Sequence, residues 1–216
     1  MSLLSTKKAF LFDLDGTLVD SSPLHERAYL ETFKANGLDV PFRYEDAKGR
    51  STYDYLATIL SEKDLPRLQA LGAEKQARYR HSIAFLEPLP GANRLLAFLK
   101  SEGKRLFVVT GGSRRSSDHA LQSLGLAGYF EGMVAADDVE NSKPAPDPYQ
   151  HALDRLGLPS PQAVAIEDAE NGVLSCRAAN LDVILVNNEE AGRRIQPYFP
   201  DLDSLLKALQ CENSAQ

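Results

Sequence analysis

Phe10-Leu11-Phe12-Asp13-Leu14-Asp15-Gly16-Thr17 is the stretch whose reading decides the fold of this chain. An apolar run, Ala9–Leu14, reads as a strand buried on both faces and ends in two carboxylates spaced two residues apart. Strand alternation would send Asp13 and Asp15 the same way. The carboxyl edge of a parallel sheet is where α/β enzymes hold nucleophiles and acids. The alternative is structural: a strand end in which both carboxylates accept backbone N–H groups in a turn that Gly16 permits.

Four further apolar segments read as strands: Leu106–Thr110, Met133–Ala136, Ala163–Glu167 and Val183–Val186. Helical segments alternate with them and carry stop signals at Gly103, Gly125, Gly157 and Asn180. This alternation predicts an α/β fold with a doubly wound parallel sheet, ligands sitting at the carboxyl ends of its strands. About 90 residues separate Leu14 from Leu106 without a strand-like run. Within them Ser22–Pro23 opens a helix that Gly37 closes, Ser51 can cap another from Thr52, and Leu65–Leu86 has apolar positions at helical spacing. The expected organisation is a core of residues 1–21 and 88–216 and an inserted helical cap of residues 22–87, hinged near Ser21–Pro23 and Glu87–Pro90. Leu202–Leu209 reads as a last amphipathic helix, with Glu212–Gln216 fraying.

At 216 residues, and roughly 150 residues per domain, the chain is one domain with an insertion or two small ones. Hydrophobic residues make up 43% and charged residues 25%, which excludes disordered and fibrous classes. The longest apolar run, Leu95–Leu99, falls far short of the roughly 18 residues that span a membrane. Lys7 and Lys8 precede only Ala9–Phe12 before Asp13, too short for a secretory segment, so a cytoplasmic location is expected. Cys176 and Cys211 have neither metal nor redox spacing. A net charge of −6 without a basic stripe argues against nucleic acid.

Three more strand ends carry chemistry. Thr110-Gly111-Gly112-Ser113 offers a hydroxyl, approachable backbone N–H groups and a following helix N-terminus to an anion; Arg114 and Arg115 read as solvated surface. In Ser142-Lys143-Pro144-Ala145-Pro146-Asp147 two prolines fix where Lys143 points. Glu167-Asp168 ends another apolar run before Asn171-Gly172 at a helix start, with an N-cap role for Asp168 as the structural alternative. A parallel sheet gathers such ends. Carboxylates about 5 Å apart repel by about 3 kcal/mol at an effective dielectric near 20, so Asp13, Asp15, Glu167 and Asp168 need more cation than one lysine supplies. An oxygen-only cluster suits a hard divalent ion, magnesium best.

In these motifs and their order the chain resembles the haloacid dehalogenase superfamily, and the insertion resembles the helical cap of its phosphoglycolate phosphatase and β-phosphoglucomutase branch. The resemblance implies that Asp13 attacks phosphorus and that Asp15 serves as acid and then base. It implies magnesium held by the Asp13 carboxylate, the Asp15 backbone carbonyl and Asp168, with Glu167 nearby. Thr110, Gly111, Gly112 and Lys143 would hold the phosphate. His25 matches a cap-side histidine of the mutases, but Thr52 stands where their pattern expects an arginine, and Arg50 is the remaining candidate for a second clamp. The expected activity is hydrolysis of a small phosphate monoester, of sugar phosphate or phosphoglycolate type, with a sugar-phosphate mutase as the alternative. A non-catalytic phosphate- or partner-binding protein is the alternative of another class. Asp15 argues against a dehalogenase, which lacks that second aspartate. The expected partner is a small phosphorylated metabolite, with no nucleic acid or membrane, acting on a monomer or weak homodimer. In the cap, Arg50, Lys75, Arg78 and Tyr79 are the candidates for the cleft, against a default of solvated helix surface.

Overall fold

The computed structural model describes residues 3–60 and 65–214. A six-stranded sheet runs in the order β3-β2-β1-β4-β5-β6, where β1 is Ala9–Phe12, β2 Arg105–Val109, β3 Met133–Val134, β4 Ala163–Glu167, β5 Asp182–Val186 and β6 Tyr198–Phe199. Every neighbouring pair is parallel. The chain builds outward from β1 on one side and then from β4 on the other, so the strand order reverses beside β1, where α/β sheets bind ligands. Alternate residues of β1 enter different apolar layers: Phe10 and Phe12 one, Ala9 and Leu11 the other, all fully buried.

Among the described residues eleven α-helices accompany the sheet: α1 Leu3–Thr6, α2 Ser22–Ala35, α3 Tyr44–Ala47, α4 Thr52–Ile59, α5 Leu65–Ser82, α6 Ala92–Ser101, α7 Arg114–Ser123, α8 Asp147–Leu156, α9 Glu170–Ala178, α10 Glu189–Gly192 and α11 Leu202–Ser214. The four expected stops, Gly103, Gly125, Gly157 and Asn180, all take positive φ. Helices α2 to α5 carry their own apolar cluster, with Tyr29, Phe33, Tyr55, Leu56, Leu68 and Leu71 at its centre. Ser51 caps α4 by accepting the Asp54 N–H at 3.1 Å. The two connections to the sheet run side by side, joined where Asp20 N–H meets Glu87 O at 3.2 Å and Leu89 N–H meets Leu18 O at 2.8 Å.

Several expected boundaries shift. Strand β1 stops at Phe12 rather than Leu14, because the N–H groups of Leu18 and Val19 both turn back to Leu14 O. Asp13 and Asp15 therefore lie in a loop, and strand alternation is not what aims them. Strand β3 ends at Val134, since Ala135 N–H is taken by the Asp138 carboxylate in a tight turn. Strand β6, only Tyr198–Phe199, has no apolar run to announce it. Helix α11 holds through Ser214, into the tail expected to fray; residues 215 and 216 lie outside the described residues. Among the described residues no helix is long and apolar enough to cross a membrane.

Candidate active site

Lys143 is the hub of the strand ends. Its ammonium, 1% exposed, donates to Asp13 Oδ1 at 2.8 Å, Val109 O at 2.8 Å and Glu167 Oε1 at 2.6 Å, which satisfies all three protons. Burial opposes the charge, but Asp13 and Glu167 outweigh it and raise the lysine above its ordinary value. Glu167 Oε1 also accepts the Tyr149 hydroxyl at 2.5 Å. Asp13 is raised well above the carboxylate range, first by burial and then by the charges of Glu167, Asp168 and Asp15, which Lys143 only partly offsets.

Asp15 faces the inserted helices. Its Oδ1 lies 3.3 Å from His25 Nε2 and 3.5 Å from the Tyr79 hydroxyl. Lys75 Nζ approaches His25 Nδ1 at 2.7 Å, so a charged Lys75 donates to Nδ1 and leaves the imidazole proton on Nε2, directed at Asp15. Tyr79 stacks on the imidazole at 3.8 Å between centroids, with the planes 14° apart. Burial works against a charged Asp15, yet His25, Ser21 and Lys75 hold its carboxyl at about 2. Burial lowers Lys75 to about 7.

The glycine loop after β2 forms the facing wall. Gly112 N–H donates to Thr110 Oγ1 at 2.9 Å, and the Arg50 carbonyl oxygen would lie 3.1 Å from a Cβ on Gly111. Asp13, Asp15, His25, Arg50, Gly111 and Gly112 line one cavity, which leaves about 30 Å³ free. That admits a water or two and is far below the roughly 300 Å³ of a small-molecule site. Arg50 Nε is buried there without a hydrogen-bond partner. Arg78, by contrast, pairs with Glu74 at 2.7 Å on the surface. Of the four candidates in the insertion, Arg50, Lys75 and Tyr79 reach the cleft and Arg78 does not. Asp168 caps no helix: α9 is preceded by Ala169.

The oxygens of Asp13, Glu167 and Asp168 suit a cation. Each residue places one carboxylate oxygen within 4.8 Å of the others, and all three are buried. Glu167 Oε2 has no hydrogen-bond partner. A Cβ on Gly16 would fall 2.2 Å from Asp168 Oδ2, so the glycine keeps the space beside that oxygen open. Burial raises Asp168 to about 6, with Glu167 adding to it and Lys48 only partly offsetting it. A donor set of oxygens alone, short of positive charge, fits magnesium. The Asp15 carboxylate is turned away toward His25 and stands outside the three-residue cluster.

Sequence reasoning missed Lys48, whose Nζ lies 2.5 Å from Asp168 Oδ2, and Gln76, whose amide donates to Thr52 Oγ1 at 2.7 Å and accepts the Ser116 hydroxyl at 3.1 Å. Tyr149, bonded to Glu167, was missed as well. Periodicity marks which residues share a helix face, but a polar side chain in a polar helix gives no sign of which face turns inward.

The model of the haloacid dehalogenase-like hydrolases matches residues 7–180. Fructose-1-phosphate phosphatase YqaB of Escherichia coli (strain K12) is 36% identical over 180 residues, covering 81% of this chain and 93% of that protein. Hexitol phosphatase A of the same organism is 36% identical over 209 residues, covering 94% and 92%. The crystal structure of CbbY from Rhodobacter sphaeroides in complex with phosphate superimposes with a TM-score of 0.80 at 29% identity, covering 92% of this chain and 96% of that one. Motif order, strand-end geometry and these likenesses agree, and the chain belongs to the haloacid dehalogenase-like hydrolase family, in its phosphoglycolate phosphatase and β-phosphoglucomutase-like branch.

Proposed function

We propose that this hydrolase is a magnesium-dependent phosphatase of a small phosphate monoester, a sugar phosphate or phosphoglycolate, working through an aspartyl-phosphate. The reading rests chiefly on the placement of Lys143 between Asp13 and Glu167, a buried ammonium against a buried carboxylate, next to loop N–H groups that can receive a phosphate. Asp13 attacks phosphorus and the ester P–O bond breaks. Lys143 offsets the repulsion between the carboxylate and a phosphoryl group of charge about −1.5 to −2. Thr110, Gly111 and Gly112 cradle the phosphate oxygens.

Asp15 protonates the leaving oxygen and later takes a proton from the water that hydrolyses the phosphoenzyme. At about 2 it starts as a carboxylate. A phosphate dianion arriving beside it raises its proton affinity, by the same charge repulsion that acts on Asp13, so Asp15 takes up a proton from solvent before passing it to the leaving oxygen. Asp13, Asp168 and the Asp15 carbonyl would hold magnesium, with Glu167 beside them, and the ion would supply a positive charge to the phosphoryl oxygens.

Residues 22–87 act as a cap on a core of residues 1–21 and 88–216, opening for substrate because about 30 Å³ admits none. Phosphatase is favoured over mutase because Thr52, where the mutase pattern expects an arginine, spends its hydroxyl on Gln76. His25 and Arg50 then face the leaving group rather than a second phosphate. A cytoplasmic monomer or weak homodimer acting on a free metabolite fits the composition. The test is phosphate release across a panel of phosphorylated metabolites, with magnesium and with a chelator. Magnesium-dependent release from sugar phosphates or phosphoglycolate is expected, and silence across the panel would overturn the reading. Conversion of a hexose 1-phosphate to the 6-phosphate without free phosphate would mark a mutase.

A further inference from the structure

We propose that Asp54 is a positioning residue for Lys143, acting through the hydroxyl of Ser142; this rests on the reading of Lys143 given above. Asp54 lies in the first turn of α4, where Ser51 and Asp54 cap one another: Ser51 Oγ accepts the Asp54 N–H at 3.1 Å and donates to Asp54 Oδ2 at 2.7 Å. That already accounts for a local role. The same Oδ2 also accepts the hydroxyl of Ser142, which stands 88 residues along the chain and immediately before Lys143. Among the described residues the other acceptor within reach of Ser142 Oγ is the Lys143 carbonyl, at 3.4 Å.

The loop that carries Lys143 is anchored on its inner side. Ser175 Oγ donates to Ala145 O at 2.5 Å, Ala145 N–H to Ser142 O at 2.9 Å, and the ammonium makes its three bonds. On the outer side Asp54 is the anchor, and it belongs to the inserted helices. The same short stretch, Lys48–Asp54, touches two more loops of the site. Lys48 Nζ meets Asp168 Oδ2 at 2.5 Å, its carbonyl accepts Asn171 Nδ2 at 3.0 Å, and the Arg50 carbonyl packs on Gly111. One segment therefore grips three of the four core loops, and Asp54 is its grip on the lysine loop. When the inserted helices part for substrate the Asp54–Ser142 bond opens. Its re-forming fixes the backbone from which Lys143 reaches Asp13.

The test combines Ser142→Ala, Asp54→Ala, the double variant and Ser142→Thr. Hydrolysis of p-nitrophenyl phosphate with magnesium and hydrogen–deuterium exchange of the full chain are the two readouts. Loss of a hydrogen bond to a charged but exposed acceptor predicts a fall in kcat of about three- to tenfold for Ser142→Ala, with KM nearly unchanged. Ser142→Thr should restore kcat, and the double variant should match Asp54→Ala within about twofold, the sign of a shared contact. Ser142→Ala should also speed amide exchange over residues 48–55, and Asp54→Ala over residues 141–147. Additive losses, or wild-type exchange over 48–55 in Ser142→Ala, would overturn the proposal. If the wild-type protein hydrolyses nothing, the phosphatase reading falls, while the two exchange experiments still decide whether Asp54 holds the lysine loop.

Discussion

Lys48 Nζ lies 2.5 Å from Asp168 Oδ2, so an ammonium from the inserted helices stands at the buried acid cluster of the sheet. Asp168 outweighs the burial cost and raises Lys48 above its ordinary value. A divalent ion held at this cluster would neutralise the same carboxylate as this ammonium. Lys48→Met should lower the melting temperature in chelator by a few degrees, at about 2–4 °C per kcal/mol for a chain of this size. It should lower it less in excess magnesium, and so enlarge the metal-induced shift. Melting curves in both conditions check this, and equal losses in the two would refute competition for Asp168.

Asp13→Asn should reduce phosphate release by at least about a thousandfold, as removal of a nucleophile does. The fold should hold, because Lys143 keeps Glu167 at 2.6 Å and Val109 O at 2.8 Å, and one charge leaves a crowded cluster. Turnover and melting measured on the same sample separate the two effects. Retained activity would remove Asp13 as the nucleophile.

Asp13, Thr110, Lys143 and Asp168 were legible in the sequence because three of them end apolar runs and the fourth is set among prolines, both local signals that a parallel sheet converts into one place. Lys75 and Tyr79 were legible only as two of four polar candidates in the insertion, against a default of solvated helix surface. Helix α5 is polar enough on every side that its inward face is decided by packing against α2 and by Asp15, contacts many residues away. Lys48 was hidden in the same way, since its partner is 120 residues further on. Asp13 and Asp15 line one cavity, as strand alternation would have it, but a backbone turn through Leu14 O, rather than pleating, carries the chain from one to the other. Two-residue β6 has too little sequence to carry any pattern.

Lys75, lowered by burial from 10.5 to about 7, makes stability depend on pH. Between about 7 and 10.5 the unfolded chain holds a proton that the folded chain has lost, so the contribution of this group to stability rises with pH across that window. Lys75→Met has no such group. Wild-type protein should therefore gain on the variant by about 1 kcal/mol per pH unit above pH 7, and run parallel to it below. Urea unfolding in chelator at pH 6, 8 and 9 measures the difference. A constant gap across that range would mean that Lys75 keeps its ordinary proton affinity.

Gly172 in α9 faces the Glu167 carboxylate so closely that a Cβ there would fall 2.1 Å from Glu167 Cδ. The carboxylate has nowhere to retreat, because Oε1 is held by Lys143 at 2.6 Å and by the Tyr149 hydroxyl at 2.5 Å. Gly172→Ala gains up to about 1 kcal/mol of helix propensity. Overpacking costs about 1–3 kcal/mol and displaces Glu167 from Lys143. The net expectation is a lower melting temperature together with a weaker magnesium-induced shift. Gly128→Ala, where a Cβ would meet nothing within 4 Å, should change neither and serves as the reference. Should Gly172→Ala melt and respond to magnesium as Gly128→Ala does, Glu167 would be free to swing aside, and its pairing with Lys143 would not be what fixes the acid cluster.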